Sequence, residues 1–303
     1  MADTKPGIVI SSLSKRYGSS KRLAIDSLSL NVNPGEIYGF LGPNGAGKST
    51  TIRILLNFLQ PTDGLAQVNS LDVVNDSLRI RQSIGYLSGD MALYPKMPGM
   101  HYLSYMSELQ GLSDLSYQKE LIKRLKPDLD KKMGELSRGN KQKIGIIQAL
   151  MHKPDVLILD EPTTGLDPLM QEVFYNLLRQ AKSRNATIFV SSHILSEVQK
   201  MCDRVGIIRE GKLVGEREIA ELASEATHTF DIEFAGRPPL AKLKKISGVT
   251  IQSSDKKSVT LHMHGKLSDL LAELAKHDVT HIDTRSLDLE SEFMHFYEEN
   301  NNA

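Results

Sequence analysis

Cysteine occurs once, at position 202, in a chain of 303 residues. No internal disulfide can form, and no cysteine-rich zinc site can be assembled. Cys202 stands beside Val198 and Met201 in a stretch of helical character, where a small core residue of a helix is expected rather than a reactive thiol. Long apolar runs are missing too. The longest are a handful of residues, far short of the roughly 18 that a bilayer-spanning helix needs, and the N-terminus carries no apolar signal core. A soluble, cytosolic chain is the expectation. Net charge is likewise absent, because 37 Lys and Arg balance 37 Asp and Glu. That removes the global electrostatic case for a nucleic-acid partner. There is no internal repeat or low-complexity segment, and the Asn-rich end from Glu298 reads as a frayed terminus.

Against these absences stands a glycine-rich segment, Gly42-Pro43-Asn44-Gly45-Ala46-Gly47-Lys48-Ser49-Thr50. It fits Gly-x4-Gly-Lys-Ser/Thr, in which closely spaced glycines let successive backbone N–H groups turn inward around phosphate oxygens at a helix N-terminus. Lys48 would reach the outer phosphates, and Ser49 would ligate magnesium. Ile37 to Leu41 reads as a short apolar strand, and Ser49 to Leu59 places Ile52, Leu55, Leu56 and Leu59 at helical spacing. The loop therefore joins strand to helix, as phosphate binding requires. A second apolar run, Val156 to Leu159, ends in Asp160 and Glu161. In a phosphate-loop protein such a strand end handles magnesium and the attacking water. Asp160 would hold magnesium through its water shell, and Glu161, at a different angle, would polarise water toward the γ-phosphate.

From Ile8 to about Leu222, short β-type runs alternate with helical stretches, the pattern of an α/β domain around a largely parallel sheet. Val156 to Leu159, Thr187 to Ser191 and Val205 to Ile208 are its clearest strands. Composition changes after Glu218, where a Glu/Ala-rich helical stretch to Ala226 is expected, and a boundary near residue 225 divides the chain into 1–224 and 225–303. The second part reads strand (Thr229 to Phe234), helix (Leu240 to Ile246), strands (Val249 to Ser253, Ser258 to Met263), helix (Leu267 to Lys276), strand (Val279 to Arg285) and a final helix. That is a small α+β unit of ferredoxin-like order.

Leu136-Ser137-Arg138-Gly139-Asn140 precedes an amphipathic helix carrying Ile144, Ile147 and Leu150, so Ser137 stands at a helix N-terminus. Its place between Lys48 and Asp160 resembles the Leu-Ser-Gly-Gly-Gln signature of ATP-binding cassette (ABC) proteins. Thr164-Gly165-Leu166-Asp167 resembles the D-loop of that family, His193 its switch histidine sensing the γ-phosphate, and Tyr17 the aromatic residue that stacks on adenine. The resemblance spans roughly residues 8 to 222 and is carried by these motifs in order. It implies the P-loop fold of ABC ATPases, a parallel-sheet core with antiparallel β and helical subdomains. It also implies a head-to-tail dimer, of identical or different cassettes, enclosing two ATP molecules. Each ATP would be held by the phosphate loop of one subunit and by Ser137 and Gly139 of the other, with Asp167 nearby. ATP binding would close the dimer, and phosphate loss would open it.

Further features resemble the export-type branch, in which the permease is a separate polypeptide. These are the small C-terminal α/β domain and its Ser286-Leu287-Asp288-Leu289-Glu290-Ser291-Glu292-Phe293 segment. Gly89 to Leu103, with Met91, Leu93, Tyr94, Met97, Met100 and Tyr102, resembles the surface where a permease's coupling helix docks, although such density is also ordinary core. A protein peripheral to the inner face of the cell membrane is implied. Two positions depart from the pattern. Gly89 stands where a glutamine is usual; either Asp90 takes over contact with the magnesium shell, or that ligand is absent. Arg138 and Asn140 replace the usual Gly and Gln of the signature. A GTPase is disfavoured because Asn140-Lys141-Gln142-Lys143 lacks the terminal Asp of Asn-Lys-x-Asp. The alternative is a regulatory cytosolic ABC-type ATPase acting without a permease.

Overall fold

The computed structural model describes residues 5–18, 22–89, 94–221, 228–263 and 267–286. They form two compact units, Met1–Glu216 and Arg217–Ala303. In the first, a six-stranded sheet runs in the order β10 (Lys212–Glu218), β9 (Arg204–Arg209), β3 (Ile37–Leu41), β8 (Thr187–Ser192), β7 (Val156–Asp160), β6 (Ile84–Leu87). From β9 to β6 every neighbour is parallel. Strands covered on both faces must be apolar throughout rather than alternating. Accordingly all five residues of β3 are buried, as are Val156 to Leu159.

The helices α1 (Lys48–Leu55), α5 (Arg138–Leu150), α6 (Pro168–Ser183) and α7 (Leu195–Met201) follow strands or loops of this sheet. Helix α1 stops at Leu55, short of the expected Leu59, and Asn57 lies beyond it in the left-handed region at φ 53. Helix α7 likewise ends at Met201. Cys202 is buried as expected, but it occupies the extended C-cap position rather than the helix itself. Burial pushes its thiol far up and so disfavours the thiolate.

An antiparallel sheet, β2 (Leu23–Val32), β1 (Ile8–Arg16), β4 (Asp63–Val68) and β5 (Leu71–Asp72), shares its core with the first. Ile8, Ile10, Ile25 and Val32 cluster with Tyr38, Phe40, Ile52, Ile158 and Phe189. Each such side chain contributes about 1.5–3 kcal/mol by burial. Arg204 fastens the base of the sheet, with Nε on Glu36 at 2.7 Å, Nη1 on Glu216 at 3.0 Å and Nη2 on the Asn31 carbonyl at 2.7 Å. Among the described residues the unit also holds α2 (Ser77–Ser83), α3 (Gly99–Leu109), α4 (Ser116–Leu125) and a 3-10 turn at Met133–Glu135. Tyr102 of α3 donates to Gln148 of α5 at 2.6 Å, and buried Gln118 of α4 donates to Ser107 at 2.9 Å.

His152, just past α5, is half-buried and holds the Ile84 carbonyl through Nε2 at 3.1 Å. Burial lowers its affinity for a proton below the ordinary value of 6.5. Below that pH the unfolded chain takes up a proton that the folded chain resists, so stability falls as acid is added. The melting temperature is therefore expected to drop more steeply from pH 6.5 downward in the wild type than in His152→Gln. Parallel slopes would remove His152 as the cause.

In the second unit, β11 (His228–Phe234), α8 (Leu240–Leu243), β12 (Val249–Ser254), β13 (Ser258–Met263), α9 (Leu267–Leu274) and β14 (Val279–Ser286) follow in that order. Both helices end earlier than their apolar spacing suggests. The strand order β12-β13-β11-β14, antiparallel throughout, is the ferredoxin-like arrangement. Alternation puts Val259, Leu261 and Met263 inward against Phe230, Ile232, Leu243 and Leu270. The helix expected from Glu218 instead begins at Ile219, because β10 runs through Glu218. Residues 222–227 and the expected final helix lie outside the described residues.

Candidate active site

Parallel sheets place ligands at the carboxyl ends of their strands, and here β3, β8 and β7 are consecutive neighbours. That order brings together segments remote in sequence: the loop after Leu41, His193 after β8, and Asp160 and Glu161 at the end of β7. The glycine loop lines a cleft of about 150 Å³ with Ala24, Asn44, Gly45, Gly47, Lys48, Ser49, Thr50 and Glu161. Gly47, at φ 117, caps α1, and a Cβ there would lie 2.8 Å from the Ala24 carbonyl oxygen. A Cβ on Gly42 would come to 2.3 Å from the Ile208 carbonyl oxygen. Only glycine permits this path. The first turn of α1 contains no acidic residue, so no side chain of the helix itself competes for its N-terminal amides and dipole.

Lys48 is 5% exposed. Its ammonium donates to the Gly42 carbonyl at 2.6 Å and the Pro43 carbonyl at 3.2 Å, and stands 4.0 Å from Glu161 Oε1. Burial draws its pKa down from the usual lysine value, and the charges of Glu161 and Asp160 oppose that shift. Glu161 lies at φ 47, a left-handed backbone uncommon for a residue with a side chain. His193 Nδ1 meets Glu161 Oε1 at 3.0 Å. Ser191, which the sequence reading did not single out, donates its hydroxyl to Asp160 Oδ1, and its Oγ also accepts from the Glu161 amide at 3.2 Å. A polar Ser191-Ser192 end on an otherwise apolar strand was the available signal.

Tyr17 is exposed, and its hydroxyl lies 3.2 Å from Thr50 Oγ1, so the segment after β1 is tied to the glycine loop. Gly89 backs onto Asp160: a Cβ there would sit 3.2 Å from the Asp160 carbonyl oxygen and 3.6 Å from its carboxyl carbon. Asp90 lies outside the described residues. Ser137, Gly139 and Asp167 do not line the cleft of their own chain. Ser137 caps α5, accepting from the Asn140 amide. Asp167 caps α6, accepting from the Met170 amide at 2.9 Å, with Pro168 in the first turn. A Cβ on Gly139 would lie 2.5 Å from the Gly165 carbonyl oxygen, so the first turn of α5 and the loop before α6 are packed backbone to backbone.

Residues 25–164 match the family model described as ABC transporter. Over 210 residues the chain is 42% identical to the bacitracin transport ATP-binding protein BcrA of Bacillus licheniformis, covering 67% of each protein. The chain belongs to the ABC transporter family. This ABC ATPase is also 34% identical to the ATP-binding protein NatA of Bacillus subtilis, over 75% of this chain and 95% of that one. It is 34% identical to the Nod factor export ATP-binding protein I of Burkholderia orbicola, over 77% and 78%. Its fold matches a solved ATP-binding subunit of an ABC transporter with a TM-score of 0.65 at 27% identity, covering 71% of this chain and 91% of that chain. The ABC ATPase thus binds and hydrolyses ATP on a P-loop α/β scaffold.

Proposed function

We propose that this ABC ATPase powers export through a separate membrane permease, as one half of a cassette dimer at the cytoplasmic face of the membrane. The observation that carries the reading is the meeting of Lys48, Glu161 and His193 at the glycine loop. Support also comes from relatives named for bacitracin transport and Nod factor export. Among the described residues no helix is long and apolar enough to cross a membrane. Bound ATP with magnesium supplies the γ-phosphoryl group and the charge neutralisation that phosphoryl transfer needs. Lys48 would exchange its two carbonyl partners for phosphate oxygens. Ser49, exposed in the first turn of α1, and Asp160, held by Ser191, would hold magnesium. Glu161 would take the proton of the attacking water, with His193 keeping its carboxylate oriented. Its left-handed backbone costs about 1–3 kcal/mol, which fits a carboxylate turned away from the direction of β7. Tyr17 would stack on adenine. Ser137 and Gly139 of the opposite subunit, with Asp167 beside them, would close over the γ-phosphate.

A permease would dock near α3. Tyr94 is 52% exposed, Met100 and Tyr105 are also exposed, and the Tyr94 and Tyr105 rings meet at 6.2 Å. Tyr102, expected to share that surface, is 4% exposed and belongs to the core. Met91 and Leu93 lie outside the described residues. Affinity purification from detergent-solubilised membranes of the native host is expected to recover a polytopic permease that stimulates ATP hydrolysis. Recovery only with cytosolic partners would favour the regulatory alternative.

A further inference from the structure

We propose that Asn140 is the positioning residue that makes the signature serine, Ser137, a hydrogen-bond donor. The inference rests on the reading of Ser137 as a contact to the γ-phosphate held by the opposite subunit. A serine hydroxyl has one hydrogen to donate and two lone pairs with which to accept. Both lone pairs of Ser137 Oγ are engaged by one residue: the Asn140 backbone N–H donates at 3.3 Å and its side-chain Nδ2 donates at 3.4 Å. What the hydroxyl has left is its hydrogen, and Ser137 is exposed. A phosphate offers acceptors to such a group, so a hydroxyl already committed as an acceptor is oriented for it in advance.

The orientation of the Asn140 amide is itself decided by the network. Asn140 Oδ1 accepts from the Asp128 backbone N–H at 3.2 Å. A backbone N–H can only donate, so the amide oxygen must face Asp128 and the NH2 must face Ser137. Asp128 belongs to the loop between α4 and α5, and its carboxylate pairs with Lys131 at 2.8 Å. A relay therefore runs from a loop backbone through an amide to the serine hydroxyl. Donors feeding a hydroxyl also polarise it, which strengthens the bond it gives.

Asn140→Asp separates this role from simple support. Aspartate keeps an oxygen for the Asp128 N–H, but it replaces the donating NH2 with an oxygen that takes the Ser137 hydrogen. Asn140→Ala, without charge, removes only the Nδ2 donor and leaves the backbone N–H on Ser137 Oγ, so the hydroxyl is less firmly oriented. ATP hydrolysis against ATP concentration would be measured on the full chain for Asn140→Asp, Asn140→Ala, Ser137→Ala and the Ser137→Ala/Asn140→Ala double variant, with melting temperatures. The loss of one hydrogen bond to a charged group should lower kcat about tenfold in Asn140→Asp. A smaller loss is expected in Asn140→Ala, with KM and melting temperature little changed. Asn140→Ala should then have no further effect in the Ser137→Ala background. Equal effects of Asn140→Ala in both backgrounds, or a wild-type kcat in Asn140→Asp, would overturn the inference. Impaired Ser137→Ala beside unimpaired Asn140 variants would overturn it while leaving the γ-phosphate reading intact. A wild-type kcat in Ser137→Ala would remove both.

Discussion

Glu161→Gln is expected to bind ATP as tightly as the wild type, to hydrolyse it at least about a hundredfold more slowly, and to accumulate as a closed dimer in ATP. The magnitude follows from the role, since a positioned general base contributes about 10²–10⁴ in rate. The substitution is nearly isosteric. An amide at position 161 can still meet His193, now 3.0 Å from the carboxylate, so the local geometry should survive while the proton acceptor is lost. Binding should not suffer, because the variant removes a negative charge 4.0 Å from the Lys48 ammonium, in the cleft where phosphates would lie. If hydrolysis is what releases the ATP bridge between subunits, blocking it traps the bridge. Size-exclusion chromatography with light scattering in ATP and in ADP would show it as a dimer in the first and a monomer in the second. Full turnover by Glu161→Gln would remove Glu161 as the base and leave its strained backbone without that explanation.

The pieces of this site differ in how far they can be read along the chain. The glycine loop is legible because its function is local: glycine spacing, a preceding strand and a following helix lie within twenty or so consecutive residues. The Asp160-Glu161 strand end is legible for the same reason. Their meeting is not local, because it depends on β3 lying beside β8 and β8 beside β7, and no pattern within any one strand specifies its neighbours. Ser191 shows the consequence. It is two residues from His193 in sequence, yet its bond to Asp160 exists only because β7 and β8 pair in register, Asp160 against Ser191.

Composition alone was equally silent on which side of α3 faces solvent. Met100 and Tyr105 are exposed while Tyr102 and Leu103 are buried, a split decided by packing against α5. In the second unit the alternating strands declared themselves, because one buried face gives a period of two. The short helices did not hold their full apolar length. Leu240 to Ile246 is spaced for a helix, but the regular helix covers Leu240–Leu243 and the chain then turns toward β12.

Lys48→Ala should weaken ATP binding by about a hundredfold or more. The ammonium is almost fully buried and satisfied by the Gly42 and Pro43 carbonyls. Burial still opposes its charge, so an arriving anion is offered a cation that water does not shield. Charge-assisted hydrogen bonds are worth about 1.5–3 kcal/mol each, and two of them lost to the outer phosphates correspond to two to four powers of ten in affinity. Alanine also removes the bonds by which Lys48 ties down its own loop, so a loosened loop could mimic the loss of a phosphate contact. Lys48→Met separates the two, because it fills the space of the aliphatic stem without the charge. Both variants should show the defect in equilibrium titration with a fluorescent ATP analogue, with melting temperatures in the absence of nucleotide near wild type for the methionine form. Wild-type affinity in Lys48→Met would mean that the ammonium serves the loop rather than the nucleotide, and the phosphate-contact role would have to pass to the backbone amides at the start of α1.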